Sequence, residues 1–199
     1  IKPCVLGRRE SAEGVEWAIA SESVAFDVIG FERDRDLRNG EAVVLIPGEE
    51  PQFVQVVEGK HTPCIFELVY FARPDSFLDE ISVYKSRRRF GVALAQQWKE
   101  EGRPTPDVVI PIPDSARDAA LACAEELDLP YREGFTKNRY IGRTFIMPNQ
   151  EERQKSIRRK LNPIQLEFKD KVVLLVDDSI VRGNTSRKII EIARASGAK

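Results

Sequence analysis

The hydrophobic positions of this chain follow two rhythms, one before and one after residues 58–63. In residues 1–57 apolar side chains come in short runs separated by turns. Residues 15–20 mix apolar and polar positions, residues 42–46 form a compact apolar run, and residues 53–57 follow the turn Pro47-Gly48-Glu49-Glu50-Pro51. Runs of this length between turn residues predict antiparallel hairpins. Between them, Ser21-Glu22-Ser23 stands ahead of Val24, Phe26, Val28 and Ile29, which predicts a short capped helix. Gly59 and Pro63 punctuate residues 58–63 as a linker.

Beyond the linker the period lengthens. Residues 82–100 carry Val83, Phe90, Leu94 and Trp98 near helical spacing and end at Gly102. Residues 107–113 predict an extended, proline-bounded strand, 116–127 a helix, 129–135 a further strand, 151–161 a helix, 171–176 a buried strand and 186–195 a last helix. Strands alternating with helices predict a parallel sheet covered on both faces. The expected fold is therefore a two-part chain, α+β and mostly β over residues 1–63, then α/β with a parallel sheet over residues 64–199.

Charge and composition narrow the function. The 31 basic and 32 acidic side chains nearly cancel, leaving a formal net charge of -1. Domains that neutralise nucleic-acid phosphates are visibly basic, so no nucleic-acid partner is expected. No apolar run reaches about 18 residues, and no charged-then-apolar leader opens the chain, so no membrane partner is expected either. Cys4, Cys64 and Cys123 are odd in number and widely spaced, which predicts a reducing, cytoplasmic compartment rather than a disulfide framework. Cys123, in an Ala-rich helix, reads as a small buried hydrophobe. His61 has no second His or Cys pair nearby and reads as a solvated loop residue. Arg87-Arg88-Arg89 and the basic residues of 153–160 read as solvated helix faces.

The strongest chemical signal is the end of the 171–176 strand. Five apolar residues, Val172 to Val176, run into Asp177-Asp178, then the loop Ser179-Ile180-Val181-Arg182-Gly183-Asn184-Thr185-Ser186, then a helix. Ligands of open α/β sheets bind just beyond the carboxyl ends of the strands. A Ser, Gly, Asn and Thr loop entering a helix offers free backbone N–H groups and a positive dipole end, which suits a phosphate. Two carboxylates would repel that phosphate, so they fit sugar hydroxyls or a hard divalent cation such as Mg²⁺. The pair could also merely cap the strand and start a turn, a reading that the whole acidic, hydroxyl and glycine pattern disfavours. Neither a Walker A motif nor a G-x-G-x-x-G occurs.

This segment resembles the phosphoribosyl-pyrophosphate (PRPP) signature of the type I phosphoribosyltransferase family. The resemblance implies that Asp177 and Asp178 meet the ribose hydroxyls and the metal, while Ser179 to Ser186 cradle the 5-phosphate. Further segments are Phe71-Ala72-Arg73-Pro74-Asp75-Ser76, Pro111-Ile112-Pro113-Asp114-Ser115 and Lys137-Asn138-Arg139-Tyr140-Ile141-Gly142-Arg143-Thr144-Phe145-Ile146. They resemble the amidophosphoribosyltransferase branch of that family, the glutamine-dependent enzymes that open purine synthesis.

IKPCVLGRRE and ASESVAFDVIGF are similar to the later part of that branch's N-terminal-nucleophile glutaminase domain. By resemblance, Asp114 and Ser115 belong to the pyrophosphate loop, with Ser115 helping to ligate Mg²⁺. Lys137, Arg139 and Arg143 supply cations over the leaving group from a loop spanning residues 136–150.

The implied reaction is displacement of pyrophosphate from carbon 1 of PRPP by glutamine-derived ammonia. Purine nucleotides are expected as feedback inhibitors of a full-length homo-oligomer. Cys64 matches one ligand of the iron–sulfur cluster found in some members, though a cluster is not favoured here. The chain opens on Ile1 and holds a single Met, Met147. Cys4 does not match the catalytic amino-terminal cysteine, so no glutaminase nucleophile is assigned. On this reading the chain is an internal stretch, truncated near Gly197 and marginally folded alone.

Two rival readings share parts of the pattern. A PRPP-sensing regulator would keep the pocket but need a basic helix or helix-turn-helix, which residues 1–57 lack. A phosphorelay receiver would use Val176-Asp177-Asp178-Ser179 but needs its phosphoacceptor Asp on a later strand, and only 21 residues follow Asp178.

Overall fold

Short apolar runs closed by small turn residues set the first part of the structure. The computed structural model describes residues 3–138 and 161–199, and the chain divides into two compact units, residues 1–86 and 87–199. In the first unit β1 (Val5–Ser11) and β2 (Gly14–Ala20) form an antiparallel hairpin, with Val5 opposite Ala20 and Ser11 opposite Gly14. Gly14 turns the chain at φ 124°, a region that residues with a Cβ rarely enter. Helix α1 (Val24–Ile29) packs Phe26 onto β1, where a Cβ on Gly7 would stand 2.8 Å from the ring. That glycine lets the ring reach the strand.

Ser23 is the N-cap of α1, but its hydroxyl makes no capping bond. It accepts instead from the Phe77 N–H at 2.9 Å. Glu22 Oε2 accepts from the Arg73 N–H at 2.8 Å and the Ser76 hydroxyl at 3.0 Å. Residues 73–77, expected with the second part, are thus anchored within the first unit.

The other edge of β1 takes β3 (Glu32–Asp36), giving the order β2-β1-β3. Every residue of β3 is charged, so no apolar alternation announces it. Ion pairs hold its side chains, Arg33 to Asp36 (2.9 Å) and Glu80 (2.5 Å), and Arg35 to Glu41. The second expected hairpin is β4 (Glu41–Val44) with β5 (Gln52–Gln55). Residues 58–63 carry no regular secondary structure. A π-helical turn (Glu67–Phe71) and the small ladder of β6 (Phe77–Leu78) with β7 (Ile81–Ser82) lead into helix α2 (Val83–Glu100).

In the second unit β8 (Val108–Pro111) pairs in parallel with β11 (Val173–Val176), Val108 opposite Val173 and Pro111 opposite Val176. The pleat sends alternate residues to opposite faces. Val108, Ile110 and Ile112 enter one core with Phe135, Phe168, Ile189 and Ile192, while Val109 and Val176 enter another with Ala116, Ala120 and Ala124. Helix α3 (Arg117–Leu127) covers the second face and helix α5 (Asn184–Ala195) the first, as expected of a parallel sheet.

Several elements differ from expectation. Only Tyr131 of residues 129–135 joins the sheet, by one parallel bridge to Val109, because Pro130 has no N–H to give a ladder. Strand β9 (Phe135–Lys137) pairs antiparallel with β10 (Leu161–Pro163). Leu161, expected to end a helix, therefore opens a strand; residues 151–160 lie outside the described residues. The short α4 (Gln165–Phe168) carries the fully buried Phe168, 5.0 Å from the Phe135 ring.

Helix α2 has the expected length but a different buried face. Val83, Arg87, Gly91 and Ala95 are buried, while Leu94 is exposed. Small residues allow this approach, for a Cβ on Gly91 would stand 2.0 Å from the Ala119 carbonyl oxygen on α3. Helix propensity alone says that Gly91→Ala stabilises by about 1 kcal/mol. The packing reverses the sign, and we expect a net loss of about 1–3 kcal/mol, read as a lower midpoint in urea unfolding. An unchanged or higher midpoint would mean that the two helices part without cost.

Candidate functional site

Because β8 and β11 run in parallel, their carboxyl ends lie side by side, and the loops that leave them share one crevice. The β8 loop supplies Asp114 and Ser115, with a cis peptide between Pro113 and Asp114. The β11 loop supplies Asp177, Asp178 and Ser179. The Ser115 hydroxyl donates to Asp178 Oδ2, and the Ser179 hydroxyl donates to Asp178 Oδ1 at 2.6 Å. Both oxygens of one carboxylate are thereby fixed by hydroxyls from two loops. Asp177 Oδ1 accepts from the Asp178 backbone N–H at 2.9 Å, which turns the second carboxylate alongside the first.

Burial, and then the neighbouring charge of Asp178, push the Asp177 carboxyl up to about 6, against the Asp178 N–H bond that favours its charged form. A cation at the pair would relieve this. Two adjacent carboxylates with hydroxyls beside them form an all-oxygen donor set. Among the described residues no group of three His, Cys, Asp or Glu gathers as a cation cage.

The loop expected to cradle a phosphate follows. Gly183 is the N-cap of α5 at φ 71°, its helix starting two residues earlier than the loop composition suggests. No side chain caps that end and no acidic residue lies in its first turn. The first N–H groups of α5 are therefore open to an anion. Ile180, Val181, Arg182, Asn184 and Thr185 are exposed, and Gly183 and Ser186 half-buried.

Of the expected pyrophosphate cations, Lys137 ends β9 and pairs with Asp114 at 2.7 Å. Arg139 and Arg143 lie outside the described residues. Cys64 is exposed and Cys123 is buried, as a small hydrophobe would be. His61 is largely exposed, 3.4 Å from Asp79.

One residue near the site escaped the sequence reading. Arg87, expected on a solvated face, is 5% exposed, with Nη1 3.9 Å from Asp118 Oδ2 on α3. Burial lowers its pKa, opposed by the charges of Asp118 and Asp178, so a buried cation stands in electrostatic reach of the acidic pair. Its place four residues after Val83 and four before Gly91 was the available signal. Arg88 follows the charged-surface expectation, pairing with Glu125 at 2.5 Å.

Comparison with known proteins shows what the chain is similar to. A family model described as "Phosphoribosyl transferase domain" matches residues 89–199. The chain is 57% identical to an amidophosphoribosyltransferase of Pseudomonas aeruginosa and 55% identical to one of Saccharomyces cerevisiae. In each case 100% of this chain is covered but 40% of the relative. The chain thus spans about two fifths of the length of the curated relatives it matches. A solved structure described as glutamine phosphoribosylpyrophosphate (PRPP) amidotransferase from B. subtilis complexed with ADP and GMP superposes with TM-score 0.84 at 39% identity, covering 100% of this chain and 42% of the other. Among the described residues no helix is long and apolar enough to cross a membrane.

The Asp177 environment has a measurable consequence. A carboxyl whose folded pKa is raised adds stability that is fully present below its unfolded value, 3.8, and lost as pH rises through about 6. Asp177→Asn keeps the acceptor and removes the charge. In metal-free buffer the variant should therefore melt above the wild type at pH 7.5, with the difference fading below pH 4. A difference that does not change with pH would contradict the assigned environment.

Proposed function

Since the chain belongs to the phosphoribosyl transferase domain family, we propose that it carries the PRPP site of an amidophosphoribosyltransferase. That enzyme forms 5-phosphoribosylamine, pyrophosphate and glutamate from PRPP, glutamine and water, the first committed step of purine synthesis. One observation carries the reading: Ser115 of the β8 loop bonded to Asp178 at the end of β11, beside an uncapped helix N-terminus. The names of the relatives, matched along the whole chain, support it.

In this reading the open N–H groups of α5 and the loop from Ser179 to Ser186 hold the 5-phosphate. Asp177 and Asp178 orient the ribose through its hydroxyls, fixing carbon 1 in line between ammonia and the leaving group. The transition state is oxocarbenium-like, and its charge moves onto pyrophosphate. Asp114 and Ser115 border that end of the substrate, and Lys137, with Arg139 and Arg143, offsets the departing charge. Asp177, Asp178 and Ser115 would hold Mg²⁺, with substrate and water completing its shell. Bound there, the ion would draw negative charge from the pyrophosphate. No iron–sulfur cluster is assigned to Cys64.

Residues 1–63 are read as the end of a glutaminase domain that supplies ammonia. Cytoplasmic location, a homo-oligomeric state and purine nucleotides as feedback inhibitors complete the proposal. The ADP and GMP of the B. subtilis structure support the last.

Asp178→Asn in the intact protein tests the reading. With PRPP, Mg²⁺ and ammonia, phosphoribosylamine formation should fall about a hundredfold or more, because the group aligns the substrate and accepts both hydroxyls. A normal rate would remove Asp178 from the site. PRPP binding by the wild type without any turnover would point to a sensor instead.

A further inference from the structure

Five side chains beside the acidic pair form a continuous run of polar contacts. The Tyr131 hydroxyl donates to Glu133 Oε1 at 2.6 Å, and the same oxygen lies 3.1 Å from Arg117 Nε. Arg117 Nη1 stands 3.4 Å from Asp114 Oδ1, and Lys137 Nζ donates to Asp114 Oδ2 at 2.7 Å. Asp114 thus divides its two oxygens between two cations, one on the first turn of α3 and one at the end of β9. Tyr131 is tied to the sheet by its bridge to Val109, so the run starts on the sheet and ends at the lysine. Burial, and then the bond to Glu133, hold the Tyr131 phenol above its ordinary value, which keeps it a donor.

A carboxylate shared by two cations holds each less firmly than it would hold one. The ion pairs among Arg117, Asp114, Glu133 and Lys137 are about half exposed, and such pairs are weak enough for a polyanion to displace. Arg117 has two carboxylate partners, Asp114 and Glu133, against Asp114 for Lys137, so the lysine is the more readily drawn away.

We propose that Arg117 is a positioning residue for Lys137. By taking one oxygen of Asp114, it orients that carboxylate and loosens its hold, so that Lys137 is stationed beside the β8 loop and passes to an incoming pyrophosphate group. The inference rests on reading the crevice as a PRPP site. Without Arg117, Asp114 keeps the lysine to itself and PRPP must compete for it.

The test is a double-mutant cycle in the intact protein, with steady-state kinetics in PRPP and ammonia. Arg117→Ala should raise KM for PRPP about tenfold, with kcat within about twofold, and Arg117→Lys should restore most of the loss. In a Lys137→Ala background the same Arg117→Ala change should cost less than about twofold, because nothing remains to position. An equal cost in both backgrounds would mean that Arg117 acts on substrate or fold directly, and would overturn the proposal. So would an unchanged KM in Arg117→Ala. Failure of the PRPP reading shows separately, as a wild type with no PRPP-dependent turnover and no PRPP binding.

Discussion

The parallel pairing of β8 with β11 is the constraint on which the site depends. Ser115 and Asp178 lie 63 residues apart in sequence and meet because the two strands end at the same level. The level is set by register, and the register by burial. With both faces covered, a slip of β11 by one residue would move Val173 and Leu175 out of one core and into the other. The two cores differ too much to allow that. One is lined by the Phe135 and Phe168 rings, the other by the alanines of α3. Packing of large against small side chains therefore fixes where a hydroxyl meets a carboxylate.

The electrostatics follow from the same burial. Withdrawing two adjacent carboxylates from water is costly, and Asp177 answers by holding its proton to about pH 6. Arg87 offsets part of that charge, itself paired with Asp118 on the helix that leaves the β8 loop. The hydroxyls of Ser115 and Ser179 fix Asp178 as an acceptor without adding charge. The result is a crevice short of positive charge at the acidic pair and rich in free N–H groups at the start of α5.

Much of this was legible in the sequence, and the gaps have physical causes. Apolar runs ending in Asp177-Asp178 and in Asp114-Ser115 gave the strands and the loops, because a strand buried on both faces leaves a continuous hydrophobic signature. Strand β3 left none, since backbone pairing and ion pairs hold it while every side chain is charged. Arg87 was misread for a related reason. Residue type says solvent, and only its spacing from Val83 and Gly91 says core. Ser23 shows the converse, a correct cap position whose hydroxyl is taken by Phe77 from 54 residues away. Local rules place the residue, but tertiary contacts decide what it bonds.

A net charge of -1 hides how the charge is used. Three cations beside the crevice are held by carboxylates: Lys137 by Asp114, Arg117 by Asp114 and Glu133, and Arg87 by Asp118. Pairing each cation with an acid keeps the empty site from repelling itself and holds long side chains near their places. The pairs differ in burial, and that difference divides their roles. The half-exposed pair of Lys137 is weak, whereas the buried guanidinium of Arg87 would lose its partner at high cost and so stays. Three cations paired with three carboxylates add nothing to the net charge, so a near-zero total does not argue against positive groups beside the crevice.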